Sequence, residues 1–285
     1  MRETKHNILS LGAGVQSSCL ALMAAQGEVK PMPDFAVFAD TQAEPKSVYD
    51  WLEWLKKQLP YPVYTVSKGN LTDDCLSPKV RKKDTLNGKA GTTYMKAIIP
   101  KFGIAKNGEV TAAIGRACTA DYKIRPIHKL IKEKLEIKRN CKDVMVTQYI
   151  GISYDELQRM RDSRDKWAQN RYPLVEKRMH RYDCKQWMQK NGFPDPPRSA
   201  CIYCPFHSNE EWRRLRNEEP AEFAKAISFE KKLQQQHSKY ASDLRMSVFL
   251  HKSCKPLGEI DFDSDEDKGQ QTWDFMAECE GMCGV

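Results

Sequence analysis

Short apolar segments alternate with helical ones through the first two thirds of the chain. Residues 7–11, 35–39, 63–66, 144–152 and 172–175 have the composition of buried strands. Segments with apolar residues at helical spacing separate them. Such alternation predicts a parallel sheet with helices on both faces. We therefore expect an α/β fold built on a doubly wound, five-stranded parallel sheet.

Helix signals support this expectation. A helix over residues 16–26 is expected to stop at Gly27, and Pro45 is expected to open the next helix. Residues 155–168 are expected to form a further helix. The chain beyond residue 180 looks helical and carries cysteines, so we expect two domains, 1–178 and 179–285.

Positive charge is concentrated in one part of the chain. The net charge is +8, yet residues 71–142 alone hold 17 basic and 7 acidic side chains, a net charge of +10. Residues 71–125 combine lysines with glycines, which favours a long basic loop. Such a block is either a solvated surface or a binding surface for a nucleotide or nucleic acid.

Cysteine content and hydropathy restrict the class of protein. No apolar run approaches the roughly 18 residues that a membrane span needs. The N-terminal residues lack the apolar core of a signal peptide, so we expect a cytoplasmic protein without a membrane partner. Ten cysteines in a reducing compartment indicate metal binding or catalysis rather than disulfides.

A glycine-containing turn follows the first predicted strand and opens the first helix. Glycines let the backbone approach an anion, which the N–H groups and the dipole of a helix N-terminus bind. The turn has neither the Gly-Lys-Ser/Thr of a Walker A loop nor the G-x-G-x-x-G of a dinucleotide fold. Its expected nucleotide contacts are Ser10, Gly12, Ala13, Gly14, Gln16, Ser17 and Ser18.

A second polar segment follows the fourth predicted strand. Gly151 and Ser153 lie there, at the sheet edge where ligands of open α/β sheets bind, and are expected to contact the nucleotide. Ser153 and Glu156 also have the spacing of a capping box, which explains both without a ligand. Arg159 is expected to pair with phosphate or sulfate.

The pair Cys201 and Cys204 has C-x-x-C spacing. Two thiolates so placed can hold a metal ion or a cluster, or form a redox disulfide. A metal needs further ligands, and Cys118 and Cys184 are the expected partners. A tetrahedral Zn²⁺ site is the alternative to a cluster for this ligand set.

The glycine turn resembles the pyrophosphate loop of the adenine nucleotide alpha hydrolase-like (PP-loop) superfamily. It is most similar to the sulfonucleotide (PAPS) reductase branch. Gly12, Ala13 and Gln16 depart from the S-G-G-x-D-S consensus of the ATP-hydrolysing members. Residues 39–45, with Asp40 at their start, resemble the D-T-G…P-E-T segment of the branch. The resemblance implies binding of an adenine nucleotide, either ATP with Mg²⁺ or a sulfonucleotide (PAPS or APS).

The segment that begins at Cys118 resembles the C-C-x-x-R-K-x-x-P-L motif of iron–sulfur sulfonucleotide reductases. Lys123 and Pro126 match the motif, whereas Thr119 replaces its second cysteine. The resemblance implies a [4Fe–4S] cluster. Cys184 is then expected to replace the ligand missing at Thr119. A cluster with three cysteine ligands and an open iron, as in some tRNA thiolases, is the alternative.

The C-terminal segment ECEGMCGV resembles the E-C-G segment that carries the catalytic cysteine of these reductases. The resemblance implies that Cys279 or Cys283 is a nucleophile, with the other as a resolving partner. A disordered or metal-binding tail is the alternative.

These features lead to a functional expectation. The family, common in phages and bacteria, is related to DNA phosphorothioation and tRNA thiolation enzymes. We expect an adenine-nucleotide-dependent sulfur-transfer enzyme that takes sulfur from a donor and thiolates a nucleic-acid or nucleotide acceptor. Lys123, Arg125 and Arg159 are expected to neutralise phosphate or sulfate.

Two alternatives remain open. The first is a PAPS or APS reductase that uses a thiol reductant and releases sulfite, which Gln16 and the tail cysteines favour. The second is a zinc-stapled nucleic-acid-binding protein without catalysis.

Overall fold

Ten strands and eight α-helices are described in a computed structural model that covers residues 3–85, 88–105, 108–111, 115, 117–240 and 246–263. The strands are β1 (His6–Leu11), β2 (Phe35–Asp40), β3 (Val63–Ser67), β4 (Lys79–Val80), β5 (Thr93–Tyr94), β6 (Phe102–Ala105), β7 (Val110–Thr111), β8 (Val146–Ile150), β9 (Ala168–Arg171) and β10 (Met246–Phe249). The helices are α1 (Val15–Ala25), α2 (Lys46–Gln58), α3 (Leu71–Leu76), α4 (Arg125–Lys134), α5 (Pro173–Glu176), α6 (Arg181–Lys190), α7 (Asn209–Glu218) and α8 (Pro220–Tyr240).

Five strands form the central sheet, in the order β3-β2-β1-β8-β9. Every neighbouring pair in this sheet is parallel. Ser10 of β1 lies opposite Val37 of β2 and Ile150 of β8. The expected α/β fold with a five-stranded parallel sheet is therefore confirmed.

Successive side chains of β1 point to opposite faces of the sheet. Leu9 and Leu11 pack into one core with α1, α2 and α6. Ile8 packs into the other core with Ile127 and Ile131 of α4. Both faces of the sheet are therefore covered by helices, as a doubly wound sheet requires.

The chain divides into two compact units. The described residues up to 69 and from 119 to 200 form the first unit, which contains the central sheet. Those from 70 to 118 and from 201 to 263 form the second unit. This division differs from the expected split at residue 178, because the basic segment joins the later cysteine segment rather than the sheet.

The second unit packs α7 and α8 around aromatic side chains. Tyr203 stacks on Phe229 of α8, with their ring centroids 3.9 Å apart. The Glu230 carboxylate accepts hydrogen bonds from the backbone N–H groups of Leu250 and Leu257. A buried carboxylate on α8 thus fixes the segment that follows β10.

Three local expectations need correction. Residues 155–168 are not one α-helix: a 3-10 helix covers Tyr154–Arg159, and an irregular segment leads into β9. The fifth strand is Ala168–Arg171 rather than 172–175, because Pro173 opens the short helix α5. The expected basic loop contains α3 and four short strands.

No helix in the described ranges is long and apolar enough to cross a membrane.

His237 lies inside the second unit, on the buried face of α8. Its side chain is 3% exposed, and within the described ranges its Nε2 has no hydrogen-bond partner. Burial and the positive charge of Lys101 lower the pKa of His237 to about 4. The imidazole is therefore neutral in the folded chain at neutral pH.

This buried histidine predicts an acid-sensitive fold. The unfolded chain takes up a proton near pH 6.5 and the folded chain only near pH 4, so the free energy of unfolding falls as the pH falls through this window. The loss is up to about 1.4 kcal/mol per pH unit. His237→Gln should flatten the dependence between pH 6.5 and 5, measured by urea unfolding. An unchanged slope in the variant would contradict the assignment.

Candidate active site

Three strands of the first unit end at one edge of the sheet. Because β1, β2 and β8 run in parallel, their carboxyl ends lie side by side. Residues 12–17 follow β1, Asp40 ends β2 and Gly151 follows β8. The sequence-predicted nucleotide contacts therefore come together at this edge, which is where open α/β sheets bind ligands.

The turn after β1 leads directly into α1. Gly14 holds the N-cap position in an extended conformation, and no side chain caps the helix. The Ser17 hydroxyl accepts a hydrogen bond from the Gly12 N–H (3.2 Å) and donates one to the Gly14 carbonyl (3.3 Å). The first-turn N–H groups of the helix have no intrahelical acceptor and suit an anion.

Ala13 has a left-handed backbone conformation. Its φ is +59°, a region that costs a residue with a side chain about 1–2 kcal/mol. Its methyl group is fully buried. The turn therefore keeps the conformation that a glycine would adopt at this position.

Two of the predicted serine contacts have structural partners. The Ser18 hydroxyl is fully buried and accepts a hydrogen bond from the Trp51 indole N–H at 2.9 Å. The Ser10 hydroxyl accepts from the Gln148 amide on the neighbouring strand. The structure thus gives Ser18 a role in the core and supplies no support for its contact with a nucleotide.

Gln16 joins the turn to the segment after β8. Its amide donates to the Ser153 hydroxyl (3.3 Å) and to the Glu156 carboxylate (3.2 Å). Arg159 forms an ion pair with the same Glu156. The expected capping box is therefore corrected: Ser153 caps no backbone N–H, because its hydroxyl faces Gln16 instead.

Ser199 is a member of this site that no sequence motif indicates. Its Cβ would lie 3.4 Å from a Cβ built on Gly14, so it packs against the turn. Its side chain is 3% exposed, and its hydroxyl lacks a hydrogen-bond partner in the described part of the chain. A buried polar atom without a partner costs free energy unless a ligand or water satisfies it.

Asp40 ends β2 and is held by two local donors. Its carboxylate accepts from the Gln42 backbone N–H (2.7 Å) and from the Tyr49 hydroxyl (2.8 Å). Burial and this carboxylate raise the pKa of Tyr49 above its usual range. The Tyr49 hydroxyl therefore stays protonated and fixes the position of Asp40.

The cations predicted to neutralise phosphate are already paired with carboxylates. Lys123 lies in a π-helical segment, Thr119–Ile124, with its Nζ 3.5 Å from a carboxylate oxygen of Glu44. Arg125 pairs with Asp121. Any anion that uses these cations must compete with those carboxylates.

Cys184 lies in the core of the first unit. It is fully buried on α6 and forms a hydrogen bond with Cys19 of α1. That hydrogen bond and burial raise the pKa of Cys19 above its usual range. Cys118, Cys201 and Cys204 belong to the second unit.

Cys201 and Cys204 lie in a tight turn. The Cys204 N–H donates to the Cys201 carbonyl at 2.9 Å, and His207 Nε2 lies 2.9 Å from the same carbonyl oxygen. Between the two cysteines, the Tyr203 hydroxyl forms a 3.0 Å hydrogen bond with the Thr72 hydroxyl on α3. The turn is therefore tied to α3.

Cys75 lies one turn after Thr72 on α3 and close to Cys118. The Ile99 N–H donates to the Cys75 sulfur, and the Cys118 N–H donates to the Ile98 carbonyl at 2.8 Å. The two cysteines thus flank the peptide group between Ile98 and Ile99. Burial raises the pKa of Cys75 to about 12, and the neighbouring Cys118 adds to this rise.

Two further predictions concern a metal site and the cysteines near the C-terminus. In the described part of the chain, no group of three or more His, Cys, Asp or Glu side chains is spaced to hold a single metal ion. Cys279 and Cys283, the expected nucleophiles, lie outside the described residues.

The fold and this edge define an α/β protein in which α1 begins at the carboxyl edge of a parallel sheet, without a side-chain cap. No protein-family model matches the chain, and no curated protein is significantly similar to it in sequence.

The closest backbone approach at the site predicts a sensitive position. A Cβ on Gly151 would lie 2.7 Å from Ser17 Cα and 2.8 Å from Ser17 N, so no side-chain rotation relieves the clash. Gly151→Ala should lower the free energy of unfolding by about 1–3 kcal/mol, measured by urea denaturation. Gly258→Ala is the matched control, because its Cβ makes only ordinary contacts at 3.5 Å or more. Equal stability of the two variants would disprove the close packing.

Proposed function

We propose that the chain is an adenine-nucleotide-dependent sulfur-transfer enzyme of the PAPS reductase-like class, which uses a [4Fe–4S] cluster and thiolates a nucleic-acid or nucleotide acceptor. The observation that carries the proposal is the anion cradle at the N-terminus of α1. There the uncapped helix start at Gly14 meets the buried, unpartnered hydroxyl of Ser199.

In this proposal the cradle holds the phosphates of ATP. The first-turn N–H groups of α1 and the Ser199 hydroxyl donate to phosphate oxygens. An oxygen of the acceptor attacks the α-phosphorus, and pyrophosphate leaves. Sulfide from the sulfur donor then attacks the activated carbon, and AMP leaves with the oxygen. Arg159, which Glu156 orients, offsets negative charge that develops on the phosphates.

The donor set of the second unit suits an iron–sulfur cluster. Cys118, Cys201 and Cys204 supply three thiolates, and Cys75 is a better fourth ligand than Cys184 because it flanks the same peptide group as Cys118. Soft thiolate donors favour a cluster or zinc over hard cations. A bound cluster supplies iron sites that can hold sulfide or pass electrons.

The cluster assignment predicts which cysteines are needed for iron. Chain reconstituted under anaerobic conditions should contain about four iron and four acid-labile sulfide per chain and absorb visible light. Cys201→Ser and Cys75→Ser should abolish both, whereas Cys184→Ser should retain them. Cys141→Ser is the control for a partly exposed thiol. A colourless protein with stoichiometric zinc would refute the cluster, and loss of iron only in Cys184→Ser would restore Cys184 as the ligand.

Substitution of two serines tests the nucleotide assignment, because one should change ATP affinity and the other should change stability. Ser199→Ala should weaken ATP binding about three- to tenfold with little effect on stability, because it removes an unpartnered hydroxyl. Ser18→Ala should lower stability by about 1–3 kcal/mol, since it leaves the Trp51 N–H without its acceptor, and should leave ATP affinity unchanged. Calorimetric titration and thermal melting measure the two effects. If Ser199→Ala binds ATP as tightly as the unaltered chain, the cradle is not the phosphate site.

Reduction of a sulfonucleotide is the second candidate function. It is favoured by Gln16, whose neutral amide stands where ATP-hydrolysing members carry an aspartate, and which bonds to Ser153 and Glu156. In this reaction a cysteine thiolate attacks the sulfur of PAPS and displaces adenosine 3′,5′-bisphosphate, which leaves a cysteine S-sulfonate. A thiol reductant then attacks the cysteine sulfur to form a disulfide, and sulfite leaves. Release of sulfite from PAPS without any acceptor identifies this function, whereas acceptor-dependent release of pyrophosphate from ATP identifies thiolation.

A further inference from the structure

A cavity of about 780 Å³ opens in the first unit beside α4. One wall is the exposed side of α4, and the other is the segment 161–165 that leads into β9. The cavity is separate from the turn at residues 12–17, since no residue of that turn lines it. Its volume lies within the range of small-molecule and nucleotide sites.

Cations outnumber carboxylates on the walls of this cavity. The basic lining residues are Arg125, Lys129, Lys132, Arg161 and Arg164. The acidic ones are Glu133, Asp162 and Asp165. Without counting His128, the lining has five basic and three acidic side chains, a formal charge of +2, which favours an anion.

Two of the three carboxylates are engaged by neighbouring groups. Asp165 lies 2.7 Å from His128 Nδ1 and 3.7 Å from Lys132 Nζ. Burial alone would raise the pKa of Asp165, but His128 and Lys132 outweigh it and lower the pKa. Glu133 lies 3.8 Å from Lys129. Arg125 pairs with Asp121, so Arg161 and Arg164 are the lining guanidinium groups without an ion pair among the described residues.

Arg161 and Arg164 are the two cations best placed for a ligand. Both are exposed. Arg161 donates from one nitrogen to the carbonyls of Gln158 and Met160, which fixes its orientation. Arg164 forms no ion pair with any described residue. Two guanidinium groups on one rigid segment suit bidentate contact with phosphate.

A chain of hydrogen bonds connects His128, which lines the cavity, to the central sheet. His128 Nε2 lies 3.1 Å from the Gln148 amide oxygen, and the Gln148 amide nitrogen donates to Ser10. Gln148 is fully buried in the middle of β8. Hydrogen bonds therefore connect this wall of the cavity to β1, the strand that leads into the turn at residues 12–17.

Further exposed cations follow α4 in the chain. Lys138, Arg139 and Lys142 are exposed, and their segment leads to Met145, whose N–H donates to the Trp167 carbonyl two residues after the cavity-lining Asp165. The Lys134 ammonium instead lies over the Tyr64 ring of β3, at the other edge of the sheet. A free mononucleotide needs only the cavity. A strip of cations that extends from a cavity is typical of a site that follows a phosphodiester backbone.

We infer that this cavity and the adjoining cations bind single-stranded nucleic acid, with one phosphate held by Arg161 and Arg164 and the flanking backbone along the exposed cations at residues 138–142. The bound strand is the acceptor of sulfur transfer only if the proposed function holds. The binding itself requires neither the nucleotide nor the cluster.

Fluorescence anisotropy with a labelled single-stranded oligonucleotide of mixed sequence tests the inference, in the absence of ATP. Arg161→Ala/Arg164→Ala should raise Kd about tenfold and reduce the slope of log Kd against log salt concentration by about 0.7, because the contact to one phosphate is lost. Lys129→Ala, at a side chain that is 76% exposed, should reduce the slope by about 0.7 without affecting the fold.

Lys57→Ala/Lys185→Ala is the matched control. It removes the same charge from exposed positions on α2 and α6, which cover the other face of the sheet. If both double variants weaken oligonucleotide binding equally, there is no site at the cavity, and the oligonucleotide is attracted only by the overall positive charge of the protein. If free AMP competes completely with the oligonucleotide while Arg161→Ala/Arg164→Ala leaves the salt slope unchanged, the result contradicts binding of nucleic acid and identifies the cavity as a mononucleotide site. A chain that takes up no iron on anaerobic reconstitution, yet binds the oligonucleotide through Arg161 and Arg164, would refute the cluster and leave this inference intact.

Discussion

The pairing of β1 between β2 and β8 is the constraint on which the candidate site depends. It brings three strand ends to one edge and places the backbone of Gly151 against that of Ser17. No side chain fits between these two backbones. The start of α1 is therefore fixed to the sheet by contact with the segment after β8, and the orientation of its N–H groups follows from this contact.

Most charges at this edge are compensated within the protein. Lys123 faces Glu44, Arg125 faces Asp121, and Arg159 faces Glu156. Such pairs hold side chains in place but offer little net charge to a ligand, because each cation already has a counter-charge. The uncompensated attraction for an anion comes instead from the helix N-terminus and from the arginines of the cavity beside α4.

Local patterns predicted much of the first unit. Apolar runs located β1 and β2 to within one residue, and Gly27 was expected after α1, where it adopts a positive φ of +78°. Contacts between distant residues could not be predicted. The sequence places Ser153 at the position of a helix cap. In the structure its hydroxyl instead accepts a hydrogen bond from Gln16, 137 positions earlier.

The same limit explains the cysteines and Ser199. Spacing in the sequence identified Cys201 and Cys204 as a pair, but only the fold shows that Cys184 lies beside Cys19 and Cys75 beside Cys118. Ser199 stands in a segment without a motif, and its place against Gly14 depends on how the chain returns to the sheet edge.

Gln16 shows how a neutral side chain avoids a conflict between like charges. Its amide nitrogen lies 3.2 Å from the Glu156 carboxylate, which also pairs with Arg159. A glutamate in the same conformation would bring a second carboxylate to about that distance. Two like charges so close would repel each other, so one would have to be neutral. The amide of Gln16 removes this conflict by donating to Glu156, and the carboxylate at this corner comes from the segment after β8 rather than from α1.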